Sequence, residues 1–255
     1  MKHPKNKNQN ISYKLKGEAL YGVHACFAAL ENGIRQFFSI FVTQKYHADV
    51  VKKDYGCPVN IVTGEQLSKL IGDDAVHQGI VIDSRPLPEK SLEEVIEDSS
   101  EDSSLLVLDQ VTDPHNIGAI LRSCAVFGID ALVLTERHSP KVTGVLAKIA
   151  SGALEKIPLV YVGNMVQALN QMKKSGYWIS GLAEEGDQFA HQVKFDGKTA
   201  LVMGAEGSGL RRMTRETCDM LVKLPTSDTF STLNVSNAAA IILYEAHRQK
   251  LYQTS

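Results

Sequence analysis

The sequence lacks the features that mark membrane, secreted and metal-binding proteins. No run of apolar residues approaches the roughly 20 that are needed to span a bilayer. Met1–Lys16 carries five lysines without the apolar segment of a signal peptide. The four cysteines lie far apart and form no CxxC pair, which disfavours zinc sites and disulfides. We therefore expect a cytoplasmic protein with reduced thiols, no metal ion and no membrane association.

The chain also has no excess of basic charge. Its 27 Lys and Arg residues are balanced by 29 Asp and Glu residues, which leaves a formal net charge of −2. Bulk charge therefore does not indicate a nucleic-acid partner, and any RNA site must be a local basic patch. A length of 255 residues with 44% hydrophobic residues is typical of a globular protein with two domains.

The dinucleotide-binding motif of Rossmann folds is missing as well. From Leu105 onwards, short apolar runs alternate with helical stretches, which is typical of a mainly parallel α/β sheet with helices on both faces. The predicted strands are Leu105–Leu108, Ala131–Thr135, Ile157–Val162, Tyr177–Leu182, Thr199–Met203 and Leu221–Leu224. The first run is followed by DQVTDPHNIG, which has one glycine where GxGxxG would be required. This disfavours a nicotinamide-dependent dehydrogenase.

The first third of the chain predicts a smaller α/β unit, which we place at residues 17–86. Its predicted helices are Tyr21–Gly33 and Glu65–Ile71, and its predicted strands are Phe37–Val42, Val59–Val62 and Gln78–Asp83. The preceding residues, 1–16, are polar and basic, and we expect a flexible tail. Its lysines are either solvated or in contact with RNA phosphates.

Residues 87–104 predict an acidic linker to a second domain at residues 105–255. Ser91–Ser104 contains six acidic residues and no basic residue, and the serines at its end favour a flexible hinge. A short helix around Leu92, Val95 and Ile96 is the alternative for part of this segment.

Three segments of the second domain place polar residues next to the end of a strand or the start of a helix. They read DPHNIGAILRSCAVFG (residues 113–128), LVMGAEGSGL (residues 201–210) and LVKLPTSDTFSTLNVSNAAAIILYEA (residues 221–246). In the first segment, Asp113–Pro114 predicts a turn and Asn116 begins a helix. Arg122 leaves the apolar stripe of that helix, because it projects about 140° from Ile117.

The other two segments follow strands directly. Glycines just past a strand allow the backbone to approach a ligand closely. In the third segment Pro225 ends the strand, and Asn234 or Ser236 caps a helix that runs from Val235 towards Gln249.

Taken singly, these residues also allow structural explanations. Arg122 could be a solvated surface arginine, and the glycines an ordinary turn. Asn234 could be only a helix cap, and Leu224 and Leu233 could be plain core residues.

In this order and spacing, the three segments resemble the motifs of the SpoU (TrmH) family of RNA ribose methyltransferases. The likeness is greatest to members that methylate a guanosine ribose in large-subunit ribosomal RNA. Residues 17–86 resemble the RNA-holding domain that these members share with certain ribosomal proteins. The resemblance implies S-adenosylmethionine as the cofactor and structured RNA, ribosomal first of all, as the partner. It also implies that the second domain is a trefoil knot, with the end of the chain threaded through a loop.

The resemblance assigns roles to eight residues. Arg122 stands at the position of the family's catalytic arginine; because a guanidinium is a poor base, we expect it to grip the RNA phosphate and stabilise the developing alkoxide. The proton acceptor stays unassigned. Glu206 suits a sulfonium cation better than a phosphate, and Asn234 orients the cofactor end of the site. The remaining assignments are cofactor binding by Gly204, Leu224 and Leu233, and substrate binding by Asn116 and Thr232.

The third segment departs from the family pattern at Thr226, Asp228 and Thr232, where methionine, glycine and serine are common. Thr232 keeps the hydroxyl, but Asp228 adds negative charge beside an anionic substrate. A catalytically silent RNA-binding relative that acts in ribosome assembly is therefore the alternative function. A transfer-RNA substrate also stays open.

The helix that follows Asn234 is apolar on nearly all sides. One stripe consists of Val235, Ala238, Ala239, Ile242 and Ala246, and the other sides carry Ile241, Leu243 and Tyr244. A helix of this kind needs cover on two faces. We therefore expect it to pack on its own sheet and on a second subunit, which makes the protein a homodimer.

Overall fold

The computed structural model describes residues 13–137, 139–227, 229 and 232–252, which fold as two compact units divided between Leu87 and Pro88. Within these residues, no helix has both the length and the apolarity required to cross a bilayer. The prediction of a flexible basic tail mainly concerns residues 1–12, which lie outside the described residues, as does Asp228.

The amino-terminal unit contains a four-stranded sheet. Its strands are β1 (Glu18–Tyr21), β2 (Phe37–Val42), β3 (Val59–Ile61) and β4 (Ile80–Ser84), and its helices are α1 (Val23–Asn32), α2 (Gln44–Val50) and α3 (Gly64–Ile71). The strand order is β1-β4-β2-β3, in which β2 and β3 are parallel and the other pairs antiparallel. The sequence prediction missed β1 and α2. Helix α2 is short and mostly polar, and it buries only Val50.

A buried aspartate fixes the chain where it enters this unit. Asp83 on β4 is fully buried, and its carboxylate accepts hydrogen bonds from the Tyr13 hydroxyl at 2.7 Å, the Lys16 N–H at 2.8 Å and the Gly17 N–H at 2.9 Å. Three donors satisfy a carboxylate that would otherwise be costly to bury. Residues 13–16, which were assigned to the tail, are therefore attached to the sheet.

The carboxy-terminal unit is a seven-stranded sheet with helices. Its strands are β5 (Ser104–Asp109), β6 (Ala131–Thr135), β7 (Leu159–Val162), β8 (Trp178–Leu182), β9 (Gln188–Phe189), β10 (Thr199–Gly204) and β11 (Met220–Lys223). Its helices are α4 (Leu92–Glu97), α5 (Pro114–Val126), α6 (Gly144–Ala150), α7 (Met165–Lys174), α8 (Arg212–Thr217) and α9 (Val235–Tyr252). The strand order is β7-β6-β5-β10-β8-β11-β9, and every pairing is parallel.

The predicted parallel sheet is therefore confirmed, and its central strands β5, β6 and β10 are mostly apolar because both of their faces are buried. Leu105 and Val107 of β5 belong to a core cluster that also contains side chains of α4 and α7. Leu106 and Leu108 point to the opposite face, since side chains alternate along a strand, and they are fully buried as well. Strand β9 was missed because its two residues, one of them exposed, give no hydrophobic pattern.

Helix α4 lies in the segment that was predicted to be a linker. The Ser91 hydroxyl accepts a hydrogen bond from the Glu94 N–H, and the Glu94 carboxylate accepts one from the Ser91 N–H, which is a capping box. Leu92 and Val95 are buried in the same core cluster as Leu105. The short-helix alternative therefore describes this part of residues 87–104, and α4 belongs to the carboxy-terminal unit.

Candidate active site

The three polar segments lie at one edge of the seven-stranded sheet. They follow β5, β10 and β11, and the carboxyl ends of parallel strands meet at the same edge. Strand β10 lies directly beside β5, and β8 separates it from β11. Three loops that are distant in sequence are thus collected near the middle of the sheet, where an open α/β sheet has its binding crevice.

Helix α5 begins two residues earlier than predicted. The Asp113 carboxylate caps it by accepting a hydrogen bond from the His115 N–H at 2.8 Å, and Pro114 occupies the first helical position, where no N–H is needed. Asn116 therefore lies inside the first turn. Gly118 faces α6 so closely that an added Cβ would lie 2.6 Å from Cγ2 of Ile149, so only glycine fits there.

A hydrogen bond between two predicted site residues joins the starts of α5 and α9. Nδ2 of Asn234 donates to Oδ1 of Asn116 at 3.0 Å. Oδ1 of Asn234 accepts from the backbone N–H of Ser236 at 2.9 Å and from its hydroxyl at 2.6 Å. Asn234 is thus the helix cap and also the link to α5, and both ends of its amide are in use.

Arg122 lies on the exposed surface of α5, as its angle from the buried stripe predicted. Its guanidinium forms no ion pair or hydrogen bond with any side chain in the described part of the chain. None of its five N–H donors is therefore used by the described residues. An arginine that only stabilised the fold would be expected to pair with a neighbouring carboxylate or carbonyl.

The glycine loop after β10 folds back on itself. A Cβ on Gly204 would lie 2.0 Å from the carbonyl carbon of Gly209, and the Gly209 N–H donates to the carbonyl of Ala205 at 2.9 Å. Gly207 and Gly209 have positive φ angles of 81° and 63° and open space where a side chain would be. Gly204 is therefore required by the loop's own backbone, and the outer glycines leave backbone open to a ligand. Glu206 is exposed within this loop.

The two leucines of the third segment are not plain core residues. Leu224 is half-buried and Leu233 is 40% exposed, so both keep apolar surface uncovered. Thr232 and Thr226 are exposed. Uncovered leucine side chains beside an open glycine backbone fit a flat, partly apolar ring with hydrogen-bonding edges.

The sequence analysis missed a buried ion pair at this edge of the sheet. Asp109, the last residue of β5, is fully buried, and its Oδ1 lies 2.7 Å from Nε and 2.6 Å from Nη2 of Arg211. Its Oδ2 accepts from the backbone N–H of Arg211 at 3.2 Å. The pair ties the loop after β5 to the end of the glycine loop. An aspartate directly after a buried strand is the sequence feature that could have indicated it.

The thiols of this unit are not activated nucleophiles. Burial raises the pKa of the Cys218 thiol to about 11, and burial raises the pKa of Cys124 further. Both are therefore neutral near pH 7. Among the residues that the structure describes, no three or more His, Cys, Asp or Glu side chains are grouped so that they could hold a metal ion.

Comparison with known families gives the class of the protein. Residues 103–244 match the profile of the SpoU rRNA Methylase family, and residues 19–90 match that of the RNA 2'-O ribose methyltransferase substrate binding domain. The chain belongs to the SpoU rRNA methylase family.

Individual relatives span nearly the whole chain. The 23S rRNA (guanosine-2'-O-)-methyltransferase RlmB of Escherichia coli strain K12 is 38% identical over 242 residues, which cover 91% of this chain and 99% of the relative. The enzyme of the same name from Vibrio parahaemolyticus is 37% identical over 248 residues, with 93% and 99% covered. The crystal structure of the SpoU methyltransferase AviRb from Streptomyces viridochromogenes, in complex with the cofactor AdoMet, is 25% identical and has a TM-score of 0.80, with 92% of this chain and 90% of AviRb covered.

Proposed function

We propose that this protein transfers the methyl group of S-adenosylmethionine to a ribose 2'-OH, of a guanosine, in 23S ribosomal RNA. The relatives that are 37% and 38% identical carry this activity in their names, and AviRb was crystallised with this cofactor. The observation that carries the proposal is the Asn234–Asn116 hydrogen bond, because it joins the first and third motifs of the family across 118 residues. Working on ribosomal RNA would place the protein in the cytoplasm.

When bound, the cofactor would supply an activated methyl group: transfer to the ribose oxygen would form an O–C bond, break the carbon–sulfur bond with release of S-adenosylhomocysteine, and free the hydroxyl proton, whose acceptor stays unassigned. No metal ion is needed for this displacement, so the chain contributes by positioning and by charge. Arg122 is placed to grip an RNA phosphate and to stabilise the negative charge that develops on the ribose oxygen. Asn116 and Thr232 would contact the RNA.

The cofactor would lie between the glycine loop and the third segment. Leu224 and Leu233 would cover the two faces of adenine, and the open backbone near Gly204 would meet its edge. Glu206 would attract the sulfonium charge, and Asn234 would hold the cofactor end of the site in register with α5. The exposure of both leucines and the open glycines supports this assignment.

The functional unit would be a homodimer, and its carboxy-terminal domain would be a trefoil knot. Ile241 and Tyr244 of α9 are 45% and 54% exposed, although the opposite face of α9 is buried. Exposed apolar side chains on a helix that is buried on its other face favour a second copy as the cover. The position of β11 inside the sheet and the packing of α9 on α5 are compatible with the threaded chain end of the knot.

The test is methyl transfer to protein-free 23S rRNA transcripts with radiolabelled S-adenosylmethionine, followed by mapping of 2'-O-methylated positions from their resistance to alkaline hydrolysis. The expected result is one modified guanosine per transcript. Methyl transfer to transfer RNA but not to the 23S rRNA transcript would show that transfer RNA, rather than 23S rRNA, is the substrate. Binding of RNA without binding of the cofactor would support the catalytically silent alternative and contradict an enzyme.

A further inference from the structure

A second cleft lies at the carboxyl edge of the sheet, beside the candidate active site but lined by other residues. It has a volume of about 400 Å³ and is bounded by the ends of β6 and β7, the start of α7 and the segment that follows the glycine loop. Three arginines line it, namely Arg137, Arg211 and Arg212, and one carboxylate lies at its rim: Oε2 of Glu136 is 4.0 Å from the position of a Cβ on Gly163, a lining residue. In a chain with a net charge of −2, such a local concentration of guanidinium groups requires an explanation.

The central arginine, Arg211, is held in place by an aspartate at the end of β5. Arg211 uses Nε and Nη2 to bind the buried carboxylate of Asp109, and its side chain is still 45% exposed. A guanidinium has five N–H donors, so this ion pair fixes the plane of the group and leaves donors directed outwards. The outer two arginines are exposed, and the Glu216 carboxylate is 3.7 Å from Arg212, which makes a weak surface pair.

Helix α7 adds a second kind of donor. Its first residues, Met165 and Val166, line the cleft, and the Asn164 side chain accepts a hydrogen bond only from the Gln167 N–H, at 3.1 Å. The N–H groups of the first turn have no partner inside a helix, and the helix dipole makes this end positive. A ten-residue helix thus directs its positive end towards the same space as the arginines.

A buried hydroxyl provides independent support for a ligand. Thr135, the last residue of β6, lines the cleft, is 5% exposed, and its Oγ1 has no hydrogen-bond partner among the described residues. An unpaired buried hydroxyl costs free energy, and because this oxygen is closed to solvent, a ligand in the cleft would bind it only after the Thr135 side chain rotates. Most groups around the cleft are donors, namely three guanidinium groups, the first turn of α7 and two threonine hydroxyls, and donors of this kind match the oxygen atoms of a phosphate.

We propose that this cleft binds a backbone phosphate of the RNA substrate, at a nucleotide other than the one that is methylated. That the ligand is RNA rests on the proposed function. That the cleft binds a phosphate group rests on its own donors. The cleft and the glycine loop are connected through Leu210 and Arg211, so a phosphate held here would fix the RNA strand relative to the cofactor side of the site.

The test uses the full-length protein and a 23S rRNA transcript, and it compares the variants Arg137→Gln and Arg212→Gln with Lys194→Gln. Lys194 is exposed and follows β9, at the opposite edge of the sheet from β7, so this control removes the same charge elsewhere. Each cleft variant should weaken RNA binding by about tenfold, the loss expected for one charge-assisted hydrogen bond. Each should also lower the slope of log affinity against log salt by about one, and the control should change neither quantity.

Thr135→Val separates a ligand hydroxyl from a structural one. Since the hydroxyl has no partner among the described residues, the substitution should leave the thermal stability unchanged or raise it, and RNA affinity should still fall several-fold. S-adenosylmethionine affinity should stay at the wild-type value in all of these variants. Loss of stability with unchanged RNA binding would make Thr135 a structural residue and count against the cleft.

Two further outcomes would overturn the proposal in distinguishable ways. If the wild-type protein methylates the transcript and the cleft variants bind it with unchanged affinity and salt slope, the phosphate lies elsewhere and the proposed function stands. If the wild-type protein binds no RNA, both proposals fail together. A parallel arm measures whether inorganic phosphate protects Arg137 and Arg212 from phenylglyoxal. Protection by inorganic phosphate together with normal RNA binding by the variants would assign the cleft to a free phosphate compound.

Discussion

At the scale of single residues, the polar side chains that stabilise the fold are buried and paired, whereas the candidate catalytic arginine is exposed. Asp83 and Asp109 are fully buried, and each is satisfied by several donors. Arg122 is exposed and has no protein partner in the described structure. A polar group that the fold does not use can be changed without loss of stability, and this property makes its function testable.

Replacement of Arg122 by alanine should abolish most of the activity and leave the fold intact. Single-turnover methylation should slow by roughly 10²–10³-fold, the loss that follows removal of one preorganised charge-stabilising donor. Thermal stability and S-adenosylmethionine affinity should match the wild type, because Arg122 is exposed and has no hydrogen bond or ion pair among the described residues. Arg122→Lys keeps the charge but not the planar fork and should restore activity only in part. A near-normal rate for Arg122→Ala would make this residue an ordinary surface arginine.

Tyr13 should make the stability of the amino-terminal unit depend on pH in the alkaline range. Burial, followed by the hydrogen bond to Asp83, raises the pKa of Tyr13 to about 12, above its ordinary value of 10.0. The folded state therefore favours the protonated phenol. Its contribution is complete below pH 10 and is lost as the pH rises towards 12, where a phenolate would face the Asp83 carboxylate. Denaturant unfolding of the wild type and of Tyr13→Phe should give a difference in stability that shrinks over this window; a constant difference would contradict the assignment.

At the scale of elements, the sequence predicted what depends on local pattern and missed what depends on distant partners. The strands of the parallel sheet were found because burial on both faces makes them continuously apolar. Helix α4 was only the alternative to a linker, because its exposed face is acidic, although Leu92 and Val95 carry the pattern of a buried face. The contacts between Asn116 and Asn234 and between Asp109 and Arg211 span 118 and 102 residues, and no local pattern in one sequence encodes such pairs.

The glycine loop should tolerate a methyl group at one glycine and not at another. Gly204→Ala would place Cβ 2.0 Å from the backbone of Gly209, so the loop must move and cofactor binding should be lost. Gly207→Ala meets nothing within 4 Å and adds only the cost of a positive φ, about 1 kcal/mol. Isothermal titration with S-adenosylmethionine compares the two variants. Equal affinities would show that the loop does not hold the cofactor.

The boundary of the carboxy-terminal unit can be tested with two fragments. A fragment of residues 88–255 retains α4, whereas one of residues 105–255 exposes the core that Leu92 and Val95 cover. Each of these side chains should contribute about 1.5–3 kcal/mol, so the shorter fragment should unfold at lower denaturant. The longer fragment should bind S-adenosylmethionine, because Gly204, Leu224 and Leu233 all lie within it. Equal stability of the two fragments would show that α4 does not stabilise the carboxy-terminal unit and is part of a linker.

At the scale of the whole molecule, the exposed face of α9 should determine the oligomeric state. Ile241→Glu would put an unpaired charge in the proposed apolar contact between subunits and should yield monomers or aggregates. Val76→Glu is the control, because Val76 is also apolar and exposed, at 58% against 45% for Ile241, but lies in the amino-terminal unit. Sedimentation velocity measures both variants. A normal dimer for Ile241→Glu would mean that α9 faces another surface.

The hydrogen bond between Asn116 and Asn234 also sets the order of events during synthesis. When the ribosome has released α5, its partner 118 residues further on has yet to be translated. A growing chain therefore presents Arg122 long before it can hold that helix in register with α9. A catalytic site that depends on this hydrogen bond can therefore form only after α9 has been translated.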